Sequence, residues 1–111
     1  MATRLEQYRS RYRGLLSELC DLGFITDGTL VHRYTRCGRQ SCHCSADPPE
    51  LHGPYWDLTR KVDAKTVSRR LREDEAALYE EWLANTRQFD KTVAQLKALS
   101  AKAAEVQLKS L

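Results

Sequence analysis

Apolar residues near the start of the chain fall at Leu5, Tyr8, Tyr12, Leu15, Leu16, Leu19 and Leu22, a three/four spacing that lays them along one stripe of a helix. The other face carries Arg4, Arg9, Arg11 and Arg13. Thr3 suits the N-cap, with Glu6 completing a capping box, and Gly23 stands where a helix commonly stops. Gly14 argues against an unbroken helix, costing about 1 kcal/mol relative to Ala. Cys20 falls within the apolar pattern and reads as a small core residue.

Beyond Gly23 the pattern changes. Asp27-Gly28 is a turn signal, and residues 29 to 35 are rich in β-branched and aromatic types, so a strand leading into Cys37 is expected. Pro48-Pro49 and Gly53-Pro54 punctuate a loop over residues 37 to 54. Residues 55 to 60 and 66 to 71 then alternate as the two strands of a hairpin. Trp56, Leu58, Val67 and Leu71 share one face, while Asp57, Thr59, Ser68 and Arg70 face away.

From Glu73 to Lys109 there is no Gly or Pro, and strong helix formers dominate. Glu73, Asp74 and Glu75 sit where negative charge favours a helix start. A heptad-like stripe runs through Leu78, Trp82, Asn85, Phe89, Thr92, Leu96, Leu99, Ala103 and Val106. A helix of this length would span about 55 Å, so it is expected to break and fold back or to lie against a partner. Leu78, Trp82, Asn85, Phe89, Leu96 and Leu99 form the candidate oligomer seam, with Asn85 setting register. A homodimer, or docking of a partner protein, is the expectation. The fold class that follows is α+β: an N-terminal helix over 1–23, a module of hairpin or three-stranded sheet over 24–72, and a long coiled-coil-like helix over 73–111.

The chain has 111 residues, room for one ordinary domain. With 41% hydrophobic and 30% charged residues, five Gly and three Pro, it is neither collagen-like nor a Pro/Gly-rich disordered chain. No apolar run approaches the roughly 18 residues of a membrane span, and the charged N-terminus has no signal-peptide core, so a cytoplasmic protein away from membranes is expected. The net charge of +3 is uneven. Residues 1 to 72 hold 13 Lys/Arg against 8 Asp/Glu, and residues 73 to 111 hold 5 against 7.

The densest chemistry lies in Cys37-Gly38-Arg39-Gln40-Ser41-Cys42-His43-Cys44, with His52 beyond it. Structural zinc takes four tetrahedral Cys/His ligands, and close spacing lets one loop wrap the ion. Cys37, Cys42, Cys44 and His52 are therefore proposed as Zn2+ ligands, with His43 competing for the fourth place. A disulfide framework is disfavoured, since Cys42 and Cys44 are two residues apart in a chain read as cytoplasmic. Free or redox-active thiols are the alternative. A catalytic zinc would need an open position, whereas four protein donors already account for the ion, so no catalytic residue is assigned.

Three blocks carry a resemblance: Cys37-Gly38-x3-Cys42-x-Cys44, then His52-Gly53-Pro54-Tyr55, then Lys65-Thr66-Val67-Ser68-Arg69 ahead of a Trp-containing helix. Together, over roughly residues 33 to 100, they resemble a prokaryotic family of short proteins of unknown function that is frequently met near transposases and other mobile-element genes. The resemblance implies a zinc loop followed by a hairpin and helices, and brings no established activity. Ala64 departs from the family pattern, which has Gly there; φ > 0 is disfavoured for Ala, and this argues against a tight type I′ turn.

Six cations fall between Arg60 and Arg72, interleaved with Tyr55 and Trp56 just upstream. Such a ribbon can lie along phosphates, with Arg60, Lys61, Lys65, Arg69 and Arg70 as contacts. Arg33, Arg36 and Arg39 would extend the same patch. The alternative is a solvated edge whose Lys/Arg discourage strand pairing. The expected function is a non-enzymatic zinc protein that binds nucleic acid, DNA above all, as an accessory to a mobile-element system. The competing expectation is a zinc-stabilised adaptor that dimerises or docks a partner through its long helix.

Overall fold

A computed structural model of the chain describes residues 2–111. Helix α1 spans Arg4–Cys20, strand β1 Thr29–Thr35, a single 3-10 turn His43–Ser45, strand β2 His52–Val62, strand β3 Lys65–Leu71 and helix α2 Glu73–Lys109. The α+β class is as expected from the sequence. The chain divides into two compact units: residues 26 to 83 hold the sheet and the start of α2, and residues 1 to 25 associate with α2 from Ala84 onward.

In the first unit the three strands are antiparallel in the order β1-β2-β3. Thr29 pairs with Thr59 and Arg33 with Tyr55; a register shift between Arg33 and Thr35 then brings Thr35 opposite His52. On the other side Trp56 pairs with Leu71 and Val62 with Lys65. The loop between β2 and β3 is thus only Asp63 and Ala64, and both adopt positive φ, 50° and 66°. This corrects the expectation for Ala64. A two-residue hairpin loop must follow the twist of its strands, and that demand overrides the reluctance of Ala to enter the left-handed region.

Alternation puts Trp56, Leu58 and Leu71 on one face, where α2 covers them: Leu58, Leu71 and Ala76 are buried, with Leu30, Trp56 and Tyr79 packed around them. Tyr79 meets Trp82 edge to face at 5.0 Å between ring centroids. The start of α2 is tied to β3 through Glu75, whose carboxylate accepts from the Arg72 backbone N–H at 3.0 Å and from Arg69 at 3.1 Å.

In the second unit α1 begins with the capping box read from Thr3 and Glu6 and runs unbroken through Gly14. It lies antiparallel along α2. Tyr8 and Tyr12 share a hollow with Leu99 and Ala103, Leu15 and Glu18 share another with Gln88 and Gln95, and the Asn85 side-chain amide donates to the Phe24 carbonyl at 2.9 Å. Thr92, Leu96 and Leu99 are buried beneath this cover. The expected break in α2 is corrected here. Helix α2 does not break, because α1 of the same chain covers its stripe. Of the candidate oligomer seam, Leu96, Leu99 and Asn85 are satisfied within the chain, Trp82 and Phe89 are half-buried, and Leu78 is exposed. Cys20 is likewise exposed at the end of α1, not part of a core. No helix is long and apolar enough to cross a membrane among the described residues.

Candidate metal centre and the basic sheet

The pairing of Thr35 with His52 places the end of β1 beside the start of β2. Cys37 lies two residues past β1, so it and His52 flank the same edge of the sheet. Gly53 makes this possible. At φ +121° it lets β2 pass Arg33 so closely that a Cβ there would stand 3.0 Å from the Arg33 carbonyl oxygen and 3.1 Å from the Tyr55 nitrogen. The intervening loop then turns back through the 3-10 turn. Ser45 secures it, donating its hydroxyl to the carbonyls of Gln40 and Cys42 at 2.8 and 2.7 Å, while its backbone N–H reaches Cys42 at 3.0 Å.

That path brings four donors together. Cys42 Sγ lies 3.1 Å from His52 Nε2, Cys37 Sγ lies 3.5 Å from Cys44 Sγ, and all four ligand atoms fall within 4.8 Å of one another. A tetrahedron with Zn–S legs of about 2.3 Å has edges of about 3.8 Å, so the cluster has the size of a single four-coordinate site. The sulfur separation is far beyond the ~2.05 Å of a disulfide, and all four cysteines are free. The Cys37 backbone N–H points at Cys44 Sγ at 3.4 Å. His43, the competitor, is not among the convergent donors; its ring stands 5.0 Å from that of His52 and its Nδ1 3.8 Å from Cys42 Sγ. The cluster can hold a metal ion.

Beyond these hydrogen bonds the loop has no apolar core to hold it. Between residues 36 and 51 only Cys44 is buried and only Cys42 is half-buried; every other side chain is exposed. The donors themselves are the core of this segment.

The basic residues do not form the single patch expected of them. The hairpin tip carries Arg60, Lys61 and Lys65, whereas Arg36 and Arg39 lie by the metal cluster, and the ten residues from His52 to Lys61 correspond to about 30 Å of strand. Three of the other cations are paired. Arg69 is bound to Glu75, and Arg33 and Arg70 share Asp57, at 2.8 and 3.2 Å. Asp57 does lie on the face away from Leu58, but it is 5% exposed, because the two arginines close over it. The guanidinium of Arg33 first, and then that of Arg70, holds the Asp57 carboxyl below its ordinary pKa of 3.8 against the opposing effect of burial. Arg70 also stacks on Tyr55, its Cζ 3.7 Å from the ring centroid. Sequence reasoning missed Asp57. The available signal was one acid amid a run of cations, but its partners become visible only once the register sets Val31 and Arg70 opposite it.

Fold and site define a class: a small α+β protein in which a Cys3His donor cluster fastens a coreless loop to the edge of a three-stranded sheet. The chain belongs to a family described as a domain of unknown function, DUF6788, whose model matches residues 3–81 and therefore takes in α1, the cluster and the whole sheet. No curated protein and no solved structure matches the chain.

Proposed function

We propose that the chain is a zinc-stabilised, non-enzymatic nucleic-acid-binding protein. Three thiolates and one imidazole are the donor set zinc prefers, and four protein donors leave no open position for substrate. Binding of the ion would supply folding energy, on the order of 10 kcal/mol in small zinc modules, to a loop without an apolar core. The observation that carries the nucleic-acid reading is the set of uncompensated cations on this module. Arg36, Arg39, Arg60, Lys61 and Lys65 are exposed and have no acidic partner among the described residues. Exposed Lys/Arg without internal partners are available for phosphate, and phosphate contacts dominate nucleic-acid affinity. The resemblance to short proteins met near transposases supports an accessory role in a mobile-element system, with DNA as the polymer.

The test joins metal analysis to binding. Protein purified without added metal should carry about one zinc per chain, and it should bind labelled duplex or single-stranded oligonucleotides with an affinity that falls steeply between about 50 and 200 mM salt. Absence of binding at low salt removes the nucleic-acid reading. Co-purification from the native cell, with and without nuclease, would then show whether a protein is the partner.

A further inference from the structure

The sheet has one face covered by α2 and another that carries Arg33, Tyr55, Asp57, Thr59 and Arg70. On this open face Asp57 divides its two oxygens between two arginines: Oδ2 accepts from Arg33 Nε and Oδ1 from Arg70 Nε. Each guanidinium thereby spends only its Nε–H. The terminal Nη groups of both have no protein acceptor among the described residues, and the two side chains remain 51% and 52% exposed. Arg70 is further fixed by the Tyr55 ring beneath it. Two cations against one carboxylate leave a net positive charge, and Arg36 adds another at the shallow hollow it lines with Tyr55, Arg70, Thr35 and His52.

We infer that Arg33 and Arg70, held in place by Asp57, form a phosphate clamp that seats one phosphodiester group of the bound nucleic acid on the open sheet face. This deepens the nucleic-acid reading and rests on it. A solvent-exposed arginine loses rotamer freedom when it grips a ligand; here the Asp57 hydrogen bonds exact part of that loss in the free protein. A planar guanidinium with free Nη–H groups matches the non-bridging oxygens of phosphate, and a second one alongside adds charge-assisted hydrogen bonds to the same group. The hairpin tip offers no such preorganisation, since Lys61 and Lys65 are exposed and unpaired. The anchor of binding is therefore placed on the sheet face next to the metal cluster, and the tip contributes only diffuse attraction.

The experiment measures fluorescence anisotropy of fluorescein-labelled oligodeoxynucleotides with the zinc-loaded full chain. Arg33→Lys and Arg70→Lys leave a cation for Asp57 but remove the fork; zinc content and melting temperature verify their folding. Each should weaken binding by roughly tenfold, whereas the tip pair Lys61→Gln with Lys65→Gln should weaken it by less than about threefold at moderate salt. A parallel titration of the wild-type chain with inorganic phosphate follows the Arg Nε–H NMR signals, which should move for Arg33 and Arg70, and it decides the matter if the lysine variants fold poorly. If wild type binds DNA and both folded lysine variants bind equally well, the clamp is overturned and the nucleic-acid reading stands. If oligonucleotides do not bind but phosphate moves both signals, the anion site stands and the nucleic-acid reading falls. If neither ligand has an effect, both fall.

Discussion

Cys42 Sγ and His52 Nε2 approach to 3.1 Å although ten residues of chain separate them, and no apolar packing in that stretch accounts for the approach. With Cys37 and Cys44 they form a donor cluster that can hold a metal ion. Cys42→Ser or His52→Ala should therefore lower zinc occupancy and destabilise the sheet module by several kcal/mol, and strong chelators should unfold it in the wild type. His43→Ala should keep the full zinc content. Elemental analysis with circular dichroism melts checks all three, and retention of one zinc per chain by His52→Ala would remove His52 from the site.

Gly53 sits beside a ligand at φ +121°, hemmed in by backbone atoms that cannot move aside cheaply. Gly53→Ala should cost at least about 2 kcal/mol through strain and close contact. It should also let zinc go to a competing chelator at lower concentration, because His52 is the adjacent residue. Unchanged metal affinity in a folded variant would show that the close approach does not position His52.

Ala64 holds φ 66° at the hairpin tip, where it is exposed and contributes no packing. Ala64→Gly should stabilise the module by about 1 kcal/mol, since relief of left-handed strain outweighs the added freedom of the unfolded chain. Denaturant unfolding followed by tryptophan fluorescence measures this, and a destabilised Ala64→Gly would contradict the strain argument.

The Asp57 carboxyl is held below its ordinary value of 3.8 by Arg33 and Arg70. A depressed folded-state pKa contributes stability that is fully present above the unfolded value and is lost as the pH falls through the folded one. Asp57→Asn should thus be less stable than wild type at neutral pH, with the gap closing as the pH falls below about 3.8. Denaturant midpoints of the two proteins compared at several pH values test this; a gap independent of pH would mean that shape, not charge, matters at this position.

Leu96 and Leu99 are buried where α1 covers α2. Leu96→Ala should cost about 2–4 kcal/mol, and because the cover comes from the same chain, the unfolding midpoint should not depend on protein concentration. A midpoint that rises with concentration would return the stripe to the oligomer seam its heptad spacing suggests.

Local signals carried much of this architecture. The Thr3/Glu6 capping box, the β-branched run before Cys37 and the Gly- and Pro-free segment from Glu73 to Lys109 each define an element through interactions among near neighbours in the chain, and each forms where the pattern places it. The four candidate metal donors were legible for the same reason: three thiols within eight residues must be close in any fold.

Tertiary structure decided what depends on register and on which surface meets which. Pairing of Thr35 with His52 selects His52 over His43, and pairing of Asp57 with Arg70 turns an isolated acid into the hub of two arginines. The docking of α1 on α2 buries Leu96 and Leu99 of the helical stripe within the chain, and the strand geometry imposes positive φ on Ala64. Sequence alone determined the elements and the donor set, because propensity, capping and ligand spacing act over a few residues. The charge pairing, the choice of histidine and the fate of the helical stripe required the fold, because they arise between residues far apart in the chain.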